Sequence, residues 1–192
     1  MTLALPAGPA PAARRQIFVG TALAALAGTT MMGGMLAVWA LIRQRAVDAG
    51  ERFPVNFIIP EVATNVMLIT LFSLCLFAQW AVYSARRGDR AHTGLALGVV
   101  LVLGIAYVNA QAFVYTQMEM PLAGSGYATM FYAITGTMVA MVVAGLVYTV
   151  VAMFRSLGGR DREFEVISAH AMYWYFIAAA YAAMWFLVYV TK

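Results

Sequence analysis

The chain has 192 residues, of which 64% are hydrophobic and 10% charged, with a formal net charge of +4. An ordinary soluble domain carries about 25% charged residues, so this composition excludes a water-soluble globular domain and places the chain in a bilayer. The excess of positive charge does not imply nucleic acid, because Arg and Lys fall in separate clusters between apolar runs rather than along one face.

In chain order, the sequence opens on the Pro/Ala-rich tail "MTLALPAGPAPAA", expected to be irregular over residues 1–16. A signal peptide competes for this region, since Arg14 and Arg15 precede an apolar run. That run is too long for the apolar core of a signal peptide and lacks a polar stretch before a cleavage site. The expectation is therefore an uncleaved first span over Ile17 to Ile42, followed by spans at Ile58 to Tyr83, Thr93 to Tyr115, Tyr127 to Phe154 and Val166 to Thr191. Crossing the roughly 30 Å hydrocarbon layer takes about 20 apolar residues in a helix, and each run contains an uncharged stretch of that length. The runs do not alternate as barrel strands would, and a helix satisfies its own backbone groups as hydrocarbon requires. The expected fold is all-α: an integral membrane bundle of five transmembrane helices, with residues 1–192 forming a single membrane domain.

Five spans put the tail and the second and fourth loops on one side with Arg14, Arg15, Arg86, Arg87, Arg90, Arg155, Arg160 and Arg162. The opposite side holds Arg43, Arg45, Arg52 and Lys192. By the positive-inside rule, the N-terminus is cytoplasmic and the C-terminus outside. Small residues recur every four positions at Ala25, Thr29, Gly33 and Ala37, at Gly94 and Gly98, at Gly136, Ala140 and Ala144, and at Ala178 and Ala182. Such spacing keeps them on one helix face, where they permit close approach of a neighbour in this chain or another. Trp39, Trp80, Tyr83, Trp185 and Tyr189 lie near span ends, as interface anchors do.

Residues able to do chemistry are scarce. A heme between helices needs axial His, Met or Cys ligands near mid-depth. His92 opens the third span and His170 lies near the start of the fifth, so both read as helix-end histidines. Proton paths through hydrocarbon depend on inward-facing ionisable groups; Glu61 and Glu119 sit at span ends, and Glu61, following Pro60, suits a first helical turn. The uncharged polar residues Thr29, Thr30, Thr64, Asn65, Gln79, Asn109, Gln111, Thr135 and Thr137 read as interhelical hydrogen-bonding groups, with Asn109 and Gln111 of most interest because they lie close together. Cys75 has no partner cysteine in the chain and reads as a packing residue. Met118 and Met120 in "QMEMP" are weak candidates for a soft metal such as Cu(I), but no Cys or His stands near to complete a site. No catalytic, cofactor-binding or metal-binding residue is assigned to this chain.

The order and spacing of "RRGD" after the second span, "AQAFVYTQM" at the end of the third, "GYATMFYAITG...AG" in the fourth and "MYWYF" in the fifth resemble subunit III of heme-copper (cytochrome c) oxidases, in a short five-helix bacterial form. Gln111 and Tyr115 stand at the glutamine and tyrosine of the family's "QxxEY". Tyr127, Phe131, Thr135, Gly136 and Gly145 fall on the fourth-helix pattern, and Trp174 on the last. The resemblance implies packing or lipid-contact roles for these positions and a non-catalytic accessory subunit of a respiratory terminal oxidase in the bacterial cytoplasmic membrane. Its expected partners are the catalytic subunit I, which reduces oxygen and pumps protons, the other oxidase subunits and membrane lipids. Heme and copper are then expected in the partner subunits and none in this chain, with bound phospholipid a further expectation and nucleic acid none.

The departures are equally legible. Met138 and Met141 replace the two histidines of "GFHGLHV", Val114 replaces the glutamate of "QxxEY", and Tyr175 and Ala178 replace the His and Asp of "WHFVDVVW". Gly28 stands where many members carry a carboxylate. Two other classes stay open: a small membrane transporter, and a subunit III-like accessory of another complex such as a nitric oxide reductase or a copper monooxygenase.

Overall fold

The computed structural model describes residues 15–50, 59–121, 126–159 and 163–191. The expected irregular tail up to residue 14, and Arg14, Arg52, Arg160, Arg162 and Lys192 of the orientation argument, lie outside the described residues. Among the described residues all regular structure is helical: α1 (Gln16–Asp48), α2 (Glu61–Arg86), α3 (Arg90–Met118), α4 (Gly126–Leu157) and α5 (Glu163–Met184), the last continued by a π-helical turn at Trp185–Val190. All five are long and apolar enough to cross a membrane, as the uncharged runs require. The helices overrun the apolar runs at their polar ends, because a hydrogen-bonded helix continues into water until a cap stops it.

The stops are chemically readable at the α2–α3 turn. Gly88 adopts φ 70°, open to glycine without steric cost, just past Arg87. Its N–H bonds the Ala85 carbonyl and the Asp89 N–H bonds the Ser84 carbonyl, the paired closure of a Schellman end. Asp89 then caps α3, accepting from the His92 backbone N–H at 3.1 Å. That bond and the adjacent His92 ring hold the Asp89 carboxyl below its ordinary carboxylate range.

α5 is the hub. It packs against α1, α2 and α4, while α2 packs on α3 and α3 on α4. Its small positions allow this: Ala169, Ala171 and Ala178 are buried, and Ile177, Tyr181 and Met184 complete the inward surface. α1 is peripheral. It buries Met32, Leu36 and Trp39 against its neighbours but leaves Thr29, Gly33 and Ala37 exposed. The small-residue stripe of α1 is therefore only loosely covered: Ala25 is half-buried, and Thr29 and Gly33 border an open cleft against Phe176, Ala179 and Ala183 of α5.

Two sequence expectations about anchors are corrected. Trp39 is 1% exposed and donates its indole N–H to the Leu187 carbonyl, tying α1 to the π-helical turn. Tyr189 is 5% exposed and packs edge-on against Phe131. Both are interior packing residues, because the turn at Trp185–Val190 rolls the chain end into the bundle. Tyr83, by contrast, is exposed as an interface residue should be.

Candidate functional site

The most tightly constructed region surrounds Trp174. Its indole is fully buried and lies between the backbones of two helices. A Cβ placed on Gly145 of α4 would come within 2.9 Å of Trp174 Cζ2, and one on Gly104 of α3 within 3.3 Å of Cη2 and 2.6 Å of Leu146 Cδ2. Glycine is needed at Gly145 to let the ring in, whereas at Gly104 the nearest obstacle is the flexible end of Leu146. The indole N–H faces His170 Nε2 at 2.9 Å and Thr149 Oγ1 at 3.1 Å, and these two atoms lie 2.8 Å apart. Thr149 also reaches back to the Gly145 carbonyl at 2.7 Å. Because an indole can only donate, its bond to Nε2 assigns the neutral imidazole proton of His170 to Nδ1, which has no hydrogen-bond partner among the described residues. On the opposite side of α5, the Cys75 thiol approaches the Trp174 carbonyl at 3.6 Å.

His170 lies in the second turn of α5, near its start as expected, but it is interior rather than interfacial. It is 0% exposed and belongs to the interior knot with Thr149 and Trp174. Nothing in linear sequence marks Thr149 as its partner; the signal would have been a polar residue one turn before Trp174 on the same face of α5.

The second cluster gathers the aromatic and amide residues of α3, α4 and the chain end. Tyr115 donates to Thr135 Oγ1 at 2.8 Å, and Thr135 donates to the Phe131 carbonyl at 2.7 Å. Phe131 stacks on Tyr127, which packs in turn on Trp39. Tyr132 donates to the Met120 carbonyl at 2.8 Å and holds the segment after α3 against α4. Gln111 is 1% exposed, with its amide beside the hydroxyls of Tyr115 and Tyr189 but outside hydrogen-bonding geometry with either. Tyr107, one turn before Gln111, meets Tyr181 edge-on with ring centroids 5.3 Å apart. Gln111, Tyr115, Tyr127, Phe131 and Thr135 are thus brought together, whereas Gly145 and Trp174 belong to the first cluster. Gly136 meets neither: a Cβ there would find nothing within 4 Å.

Asn109, expected beside Gln111, is exposed on another face of α3, because two residues apart on a helix is about 200° of rotation. Met118 and Met120 are each 5% exposed and belong to the apolar core. No group of three His, Cys, Asp or Glu residues able to complete a metal site occurs among the described residues. The pair's surroundings are those of space-filling side chains.

Both clusters consist of helices held by neutral rings and hydroxyls, at positions drawn from all five spans. A family model for cytochrome c oxidase subunit III matches residues 17–192. The chain belongs to the cytochrome c oxidase subunit III family. Among curated relatives of the subunit III family, the cytochrome c oxidase subunit 3 of Strongylocentrotus purpuratus is 28% identical over 142 residues, covering 71% of this chain and 52% of that protein. Its counterparts in Tragelaphus imberbis and Bos taurus are 29% and 28% identical over 140 residues, each covering 69% of this chain and 49% of the relative. The chain spans about half the length of the curated relatives it matches.

Within the subunit III family the departures noted in the sequence now have surroundings. Met138 and Val114 are fully buried in the apolar core, and Ala178 is 4% exposed. Tyr175 is partly exposed and donates to Gln79 Oε1 at 2.6 Å, joining α5 to α2. The Phe176 ring occupies the space beside Gly28, its Cζ 2.6 Å from where a Cβ would stand. In a low-dielectric interior, apolar filling at such places avoids the desolvation of a charge.

Proposed function

We propose that this chain is a non-catalytic, subunit III-like accessory of a respiratory heme-copper terminal oxidase, packed against the catalytic subunit that reduces oxygen and pumps protons. The observation that carries the reading is the family match over residues 17–192. It is supported by the chemistry of the interior, where the buried polar side chains of Thr135, Thr149, His170 and Trp174 serve helix–helix contacts. Heme and copper are assigned to the partner subunits. Gln111, Tyr115, Tyr127, Phe131, Thr135, Gly136, Gly145 and Trp174 are assigned packing or lipid-contact roles, and Met118 and Met120 a packing role.

The location proposed is the bacterial cytoplasmic membrane, with Arg86, Arg87, Arg90 and Arg155 on the cytoplasmic side and Arg43 and Arg45 on the outer side. The test is affinity capture through a tag on this chain after mild solubilisation, followed by mass spectrometry. Recovery of a larger multi-span subunit carrying heme-ligand histidines supports the proposal. Recovery of the chain alone, with transport of an assayed solute after reconstitution, contradicts it.

A further inference from the structure

The Gln111 side chain is 1% exposed, yet neither its Nε2 nor its Oε1 has a hydrogen-bond partner among the described residues. The same holds for the hydroxyls of Tyr107 and Tyr189, which are 1% and 5% exposed. In hydrocarbon no solvent stands ready to satisfy such atoms, so buried polar groups are engaged either by protein or by ordered water.

Two elements bring these side chains together. Tyr107, Gln111 and Tyr115 recur at intervals of four residues and share one face of α3. Tyr189 meets that face from the chain end, because the π-helical turn at Trp185–Val190 rolls it inward; such turns recur at functional places in helices. The Gln111 amide lies beside the hydroxyls of Tyr189 and Tyr115, and the Tyr107 hydroxyl is within electrostatic reach of both tyrosines.

The neighbouring rings do not supply the missing partners. Tyr115 spends its proton on Thr135 Oγ1 at 2.8 Å, and Tyr181, edge-on to Tyr107, donates to the Thr64 carbonyl at 3.0 Å. What remains is two hydroxyl protons, the amide protons and the amide oxygen, a set with more donors than acceptors. A water molecule, with two lone pairs and two protons, corrects that imbalance.

A way in lies alongside. Tyr189 also lines a cleft of about 360 Å³ with Glu61, Thr64, Asn65, Trp185 and Val190, at the end of the bundle where α2 begins. Trp185 donates to Asn65 Oδ1 there at 2.9 Å, so polar groups line the mouth as well as the interior. Tyr107 lies ~16 Å along α3 from Met118, so the open atoms extend from this mouth toward the middle of a hydrocarbon layer roughly 30 Å thick.

We infer that Gln111, Tyr107 and Tyr189 hold internal water, which enters through the cleft at Tyr189 and hydrogen-bonds α3 to the π-helical chain end. Buried water makes about three hydrogen bonds. Here the two hydroxyls donate to it, it donates to Gln111 Oε1, and Nε2 is left for the Tyr115 oxygen, which can still accept.

The test is X-ray hydroxyl-radical footprinting of the intact complex captured through a tag on this chain, since radicals born from bound water mark the side chains that touch it. Oxidation of Tyr107 and Tyr189 is expected, with none above background at Met67 and Met138, which are fully buried and readily oxidised. In Gln111→Leu the Tyr107 signal should fall at least about 5-fold, the change in occupancy that loss of one hydrogen bond brings. Tyr189→Phe keeps the ring, should lower the signal by a smaller factor, and decides the matter should Gln111→Leu misassemble. Thermal midpoints add a sign: Gln111→Leu lowers the midpoint when water joins the three residues, and raises it when the amide is dry and unpaired. Tyr107 no more oxidised than Met67 and Met138, Tyr107 oxidation unchanged in both variants, or a raised midpoint in Gln111→Leu would overturn the inference.

Discussion

Gly145 and Trp174 were legible in the sequence as two separate positions of a family pattern, but not as one contact. Their pairing depends on how α5 is rotated against α4, and a period of 3.6 residues does not set that rotation between helices hydrophobic on every side. The contact has a sharp consequence. Gly145→Ala would force a methyl into the buried indole, where neither ring nor backbone has room, and should cost ~1–3 kcal/mol as overpacking does. Gly104→Ala first meets Leu146 Cδ2, the end of a flexible side chain, and should cost less. Thermal midpoints of the two variants in one detergent would check the order. Trp174→Phe keeps most of the ring but removes the indole donor, so that His170 Nε2 and the Gly145 carbonyl compete for the single Thr149 hydroxyl proton and one buried acceptor goes short, at about 1–3 kcal/mol. A His170→Phe variant in the same background should recover part of that loss, because it removes the stranded group as well. Additive losses in the double variant would show that the two residues act independently.

At the scale of elements, the five helices could be read directly from the uncharged runs, because a bilayer imposes length and composition together. What could not be read was which helix is central. The fifth span carries Trp185 and Tyr189 at the end expected to anchor at the interface, yet its alanines let α1, α2 and α4 close around it. The π-helical turn at Trp185–Val190 likewise has no sequence signature, and it draws Tyr189 inward where an interface anchor was expected. The α2–α3 turn, by contrast, carries its signal in "RRGD", with glycine past the helix end and Asp as the next cap, although the uncharged runs alone end at Tyr83 and resume only at Thr93. Asp89→Ala should lower the thermal midpoint by roughly 2–4 °C, in the range of a lost N-cap, while Asp89→Asn should largely preserve it. The pH dependence has a definite sign. Because the folded carboxyl titrates below its unfolded value, its stabilising contribution is present above the ordinary carboxylate pKa of about 3.9 and is lost as pH falls below that. The thermal midpoint of the wild type should therefore drop more steeply than that of Asp89→Asn between about pH 5 and pH 3. Parallel curves would remove Asp89 from the account of the turn.

For the molecule as a whole, two properties are joined: an interior whose polar groups are uncharged rings, hydroxyls and an amide, only partly engaged with one another, and long apolar outer faces on α1 and α2 left exposed among the described residues. The proposed orientation rests on the arginine asymmetry and is directly checkable. In a Cys75→Ser background, a cysteine at Ala49 should react with a membrane-impermeant maleimide added to intact cells, and one at Gly158 should react only after permeabilisation. The reverse pattern would invert the topology. The apolar faces call for a neighbour or lipid, and the function proposed above assigns heme to that neighbour. The most direct test of that claim is the reduced-minus-oxidised spectrum of the complex captured through this chain. The account predicts a heme signal stoichiometric with a co-purifying larger subunit and none in the chain once that subunit is stripped away; heme retained by the isolated chain, or a captured assembly with no heme at all, would contradict it.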